Sequence, residues 1–156
     1  MQRRVIAAMQ HYGISRNEVE GKLFLDAGRD FKLIFASQDR DGVKVNDALN
    51  QYLIGKFKEL NIGVAMIDPF VSAHNVVEND NMSLNVAVSA IRKVADNADC
   101  SISLVHHTRK ANGAEIDVDS IRGAGSLVGA ARVARVLNRV PNDKLTAMGI
   151  PEADFG

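Results

Sequence analysis

The sequence predicts an α/β fold, a parallel sheet flanked by helices. The apolar run at residues 62–67 lacks the polar alternation of a half-exposed strand and so suits a strand covered on both faces, and residues 101–106 read as the next buried strand. A segment with helical spacing precedes each run, and crossovers of that length imply parallel strands. Each run also ends in polar residues, Asp68 and His106-His107. In parallel sheets ligands collect at the carboxyl ends of the strands, so these tips are where chemistry is expected.

The elements follow in order. Residues 2–12 carry Val5, Ile6, Met9 and Tyr12 at helical spacing, and Gly13 suits the stop position after a helix. Ser15 and Glu18 have the spacing of a capping box, which predicts a short second helix. Residues 22–26 read as a strand and 31–36 as a weaker one, with a turn at residues 39–42. Asn46 can cap a helix whose stripe runs Ala48, Leu49, Tyr52, Leu53, Phe57 and Leu60. Ser83 is the expected cap of a longer helix with Leu84, Ala87, Val88, Ile91, Val94, Ala95 and Ala98 inward. Asp119 or Ser120 opens a helix rich in small residues, 133–140 reads as a strand, and 141–149 as a last short helix.

Composition bounds the function. Of the 156 residues, 46% are apolar and 24% charged, enough for one domain with a sizeable core. Lys+Arg and Asp+Glu both total 19, which excludes a generally basic nucleic-acid coat or a polyacidic tail. Cys100 is the single cysteine, so there is no disulfide framework, and its surroundings predict a small core filler. No apolar run approaches the roughly 18–20 residues that span a bilayer, and no secretory signal is apparent. A cytoplasmic location without membrane contact is expected. The chain opens in a helix and residues 151–156 read as a truncated tail, so residues 1–150 are expected to be part of a larger domain.

Residues 64–68 have the pattern of a buried strand delivering one carboxylate, Asp68, to a phosphate-bound Mg²⁺. Asp before Pro69 is also an ordinary turn start, so this pattern alone is weak. Strand alternation sends the His106 and His107 imidazoles to opposite sides, so the two do not chelate one metal as a pair. One can meet a phosphate or a metal while the other packs inward. His74 with His106, His107 and Asp68 would make a metal-hydrolase cluster, but no metal-ligand spacing supports it. Glu78-Asn79-Asp80-Asn81 offers ligands for metal or substrate, although Asn and Asp equally suit a solvated turn. Arg122, before a helix of small residues, can reach a phosphate on a neighbouring subunit or make a surface ion pair. Arg109, Lys110, Arg132, Arg135 and Arg139 make a basic surface for single-stranded DNA only weakly, since stacking aromatics are few at 5% of residues. The phosphate-cradling sequence G-x-x-x-x-G-K-[ST] does not occur.

The order and wording of these segments resemble the RecA-like ATPases of the RepA type, hexameric replicative helicases of plasmids and phages, and their AAA relatives. The residues that carry the resemblance are 23–30 (LFLDAGRD), 67–74 (IDPFVSAH), 78–81 (ENDN), 104–110 (LVHHTRK) and 122–127 (RGAGSL). It implies a RecA-like parallel sheet, here incomplete because the first strands and the phosphate loop are missing. It also implies ATP and Mg²⁺ as cofactors, a homo-oligomeric ring, and hydrolysis coupled to movement on single-stranded DNA. By it Asp68 is the Walker B carboxylate on Mg²⁺. His107 is the residue that senses the γ-phosphate, with His106 the less favoured choice, and Arg122 acts across the subunit interface. Met1 is expected to fall just after the second strand of such a domain, which removes both the cradle and the general base. The chain alone is therefore expected neither to hydrolyse ATP nor to bind it tightly. The alternative is a non-enzymatic module that regulates or completes the ring of a partner ATPase.

Overall fold

The computed structural model describes residues 2–28, 31–107, 117 and 124–151. Helix α1 (Gln2–His11) ends as its sequence dictates. Gly13 adopts φ +66°, and the Ile14 and Gly13 N–H groups donate to the Met9 and Gln10 carbonyls. This left-handed exit is open to glycine at little steric cost. Helix α2 (Arg16–Val19) starts at Ser15, whose backbone N–H and hydroxyl both donate to the Glu18 carboxylate at 2.8 and 2.7 Å. These bonds hold the Glu18 carboxyl below its ordinary pKa.

The strand expected at 22–26 does not form: those residues have no regular structure. The segment closes in a local turn, where the Gly28 N–H donates to Asp26 Oδ1 at 2.6 Å. An extended run with no ladder partner has nothing to stabilise it as a strand, and Asp readily bonds its own backbone instead. The strand expected at 31–36 begins only at its last residue. Strands β1 (Ala36–Asp39) and β2 (Gly42–Val45) form an antiparallel hairpin around the expected turn. The Asp41 N–H donates to Asp39 Oδ1 there, and Lys44 closes the hairpin with an ion pair to Asp39 at 2.7 Å. The sequence reading missed β2, whose Gly42 start resembles the turn itself.

Helix α3 (Asp47–Glu59) begins where Asn46 Oδ1 accepts from the Leu49 N–H, as expected. Its inner face is narrower than the predicted stripe: Leu49 and Leu53 are buried, whereas Ala48 and Tyr52 face outward. Strands β3 (Val64–Ile67) and β4 (Ser101–Leu104) pair in parallel, with Ile67 opposite Leu104. The long crossover between them is α4 (Asn81–Ala98). Its cap is Asp80 and not Ser83: Asp80 Oδ1 accepts from the Met82 N–H, and the buried Ser83 hydroxyl donates to the other oxygen. A carboxylate at a helix start satisfies free N–H groups and meets the positive end of the dipole, which a hydroxyl one turn in cannot do.

Helix α4 is the hub of the core. It packs against α3, the hairpin, β4 and α5 (Ala124–Ala130). Leu84, Ala87, Val88, Ile91 and Val94 bury one stripe against Phe35, Leu49, Leu53 and Phe70. Only one face of the β3–β4 pair joins this core. Ala65, Ile67, Ile102 and Leu104 turn inward, while Val64 and Met66 are 68% and 69% exposed. The expectation of strands covered on both faces is thus corrected: among the described residues the parallel sheet has two strands, and no helix covers its outer face. Residues 133–140, expected as a strand, are irregular, with Val133 and Leu137 exposed, and α6 (Asn142–Ala147) follows. The helix start expected at Asp119 or Ser120 lies outside the described residues.

Candidate functional site

The carboxyl ends of β3 and β4 lie side by side. The Val105 N–H donates to the Ile67 carbonyl at 2.9 Å, and the Phe70 N–H returns to the Val105 carbonyl at 2.7 Å. Asp68 is therefore held in a backbone loop pinned on both sides to the strand that delivers the histidines. The chain passes through a cis peptide bond between Asp68 and Pro69 into a 3₁₀ turn, Phe70–Ala73. The Asp68 side chain is exposed at this tip, and an exposed carboxylate fits the oxygen coordination that Mg²⁺ prefers.

The two histidines divide as strand alternation predicts. His107 is exposed, whereas His106 is half-buried with its ring 5.9 Å, edge to face, from the fully buried Phe70. Both His106 ring nitrogens are out of solvent and without a partner among the described residues. His107 is the imidazole open to a ligand at the tip. His74 also packs on Phe70, 5% exposed and 4.7 Å ring to ring. Burial pushes the His74 pKa down, with nearby Glu78 pulling the other way.

The remaining candidates are placed as follows. Asp26 is exposed and occupied by its own turn. Within the 78–81 segment Asp80 is committed to capping α4, which accounts for its lowered pKa, first through the Ser83 hydroxyl. A methyl on Gly125 would sit 4.0 Å from Asn81 Nδ2, so the start of α5 abuts this segment. Arg122, Arg109 and Lys110 lie outside the described residues, while Arg132, Arg135 and Arg139 are exposed. No trio of His, Cys, Asp or Glu is placed to hold a metal among the described residues. Cys100 is half-buried at the opposite end of the strands, in a shallow polar depression with Asp96 and Asp99, which departs from the core position expected of it. Desolvation and Asp99 raise its thiol pKa. Sequence reasoning missed the packing of Phe70 against two imidazoles. An aromatic directly after a strand-tip Asp-Pro, with His four residues on, is the signal that could have found it.

No helix among the described residues is long and apolar enough to cross a membrane. No curated protein and no solved structure gives a match to the chain. The AAA domain family does match, over residues 1–113, well over half of the sequence. The matched stretch takes in Asp68 and both histidines and stops short of Arg122. The chain belongs to the AAA domain family, of the P-loop ATPase type.

Proposed function

We propose that this chain is the strand-tip portion of a RepA-type replicative helicase ATPase, working within a homo-oligomeric ring on single-stranded DNA. The observation that supports it is the apposition of exposed Asp68 and exposed His107 on adjacent parallel strand ends. In this reading Asp68 holds Mg²⁺, His107 meets the terminal phosphate, His106 packs behind it, and Arg122 serves the site of a neighbouring subunit. Bound Mg²⁺ would neutralise phosphate charge. The residues present fit the metal and one end of the nucleotide only, because no G-x-x-x-x-G-K-[ST] cradle is encoded in these residues. Phosphoryl transfer depends on positioning and electrostatics, so the chain alone is inactive.

Backbone NMR during a Mg²⁺-ATP titration tests the site. Millimolar Mg²⁺-ATP is expected to shift resonances of residues 67–70 and 104–107, and Asp68→Asn to abolish the Mg²⁺-dependent part. Shifts confined elsewhere, or none, overturn the site. Saturation in the micromolar range overturns the claim that the chain alone binds nucleotide weakly.

A further inference from the structure

Buried His74 and half-buried His106 both contact the Phe70 ring, and His74 has no role in the proposed nucleotide site. Buried polar atoms are normally satisfied, and those left without partners call for an explanation. Here His74 Nε2 and both nitrogens of His106 are buried without partners among the described residues. His74 Nδ1 does have one: it accepts from the Val76 N–H at 3.4 Å. That bond places the proton of the neutral ring on Nε2, leaving Nδ1 as the atom that takes up a second proton. A protonated Nδ1 would point an N–H at the Val76 N–H, two donors face to face.

The segment this would disturb is the one that seats the hairpin. The Phe35 N–H donates to the Ala73 carbonyl, the Asn75 N–H to Ala36, and the Gln38 N–H to Asn75, all at 2.9–3.0 Å. We propose that His74, Phe70 and His106 form an acid-responsive clasp, closed while His74 is neutral, that releases residues 73–77 from β1 when His74 Nδ1 takes a proton from solvent. The charged groups facing His74 work in opposite directions. Glu78 favours the cation, while His106 and, above all, burial oppose it. The closed state therefore binds fewer protons than the open one, and acid shifts the balance toward opening.

The test uses the full 156-residue chain and does not depend on the nucleotide reading. Imidazole resonances of all four histidines are followed by NMR between pH 8 and pH 5, together with amide hydrogen exchange corrected for its intrinsic pH dependence. His74 is expected to titrate below the ordinary imidazole midpoint near 6.5. Protection at Phe35, Gln38 and Asn75 is expected to fall about tenfold per pH unit between the ordinary imidazole midpoint near 6.5 and that of His74. Amides of α4 keep theirs, and His74→Gln removes the pH dependence at the three reporters. A His74 midpoint at or above the ordinary imidazole value overturns the clasp. So does protection that is independent of pH, or that falls equally in α4. If His74→Gln does not fold, the wild-type titration and exchange decide alone.

Discussion

Phe70 joins the core to the strand tips, and truncating it measures how far the two are one structure. The ring is fully buried, touches His74 and His106, and sits on the backbone that bonds to Val105. Phe→Ala at a buried site costs about 3–5 kcal/mol in lost transfer energy and cavity. Two aromatic contacts of about 0.5–1.5 kcal/mol each place Phe70→Ala toward the top of that range. A domain of this size has only about 5–15 kcal/mol in total. With a urea slope of about 1–3 kcal/mol per molar, the midpoint is expected to fall by about 2 M. Phe70→Leu keeps most of the volume and loses chiefly the ring contacts, so it falls between wild type and Phe70→Ala. Val71→Ala, at a neighbouring exposed position, is the control and stays within about 0.5 kcal/mol of wild type. Equilibrium unfolding followed by circular dichroism reads all three. A Phe70→Ala midpoint no lower than that of Val71→Ala refutes the assignment of Phe70 to the core.

Three further outcomes follow from the helix ends. Asp99 closes α4 at φ +53°, so Asp99→Gly relieves left-handed strain and removes a negative charge from the negative end of the dipole; thermal melts should show a gain of about 0.5–1 kcal/mol. Asn46→Ala deletes the α3 cap and the bond from its side-chain amide to the Ile34 carbonyl, and is expected to lower stability by about 1–2 kcal/mol in the same assay. The Ser83 hydroxyl and the Met82 N–H hold the Asp80 carboxyl below its ordinary pKa. Its contribution is therefore complete above the ordinary carboxylate range and disappears as pH falls through the lowered folded value. Asp80→Asn, still a capping residue, should flatten the stability profile from the ordinary carboxylate range downward; a profile parallel to wild type contradicts the cap.

Much of this fold was legible because helices carry redundant signals. The stripe of α4 and the Asn46 cap of α3 each combine periodicity with end chemistry, and both elements appear where expected. Strands carry less. Residues 22–26 have strand composition but no partner, and β2 was hidden because its first residue also ends the turn. Apolar runs cannot say how many faces a sheet will cover, which is why Val64 and Met66 were expected inside. The positions of Asp68 and His106-His107 at adjacent tips were readable, because each follows an apolar run directly. That Asp80, and not Ser83, caps α4 was a choice between two competent residues three apart, decided by which one lies before the first turn.

The ladder between β3 and β4 is four residues long, and the two strands are joined through α4. So short a zipper cannot hold distant stretches of chain together by itself; the intervening helix must already be seated before the tips meet. Apposition of the strand tips thus depends on consolidation of the interior. A cavity cut deep under α4, as in Val94→Ala, would weaken the seating of Asp68 and His107 without touching either.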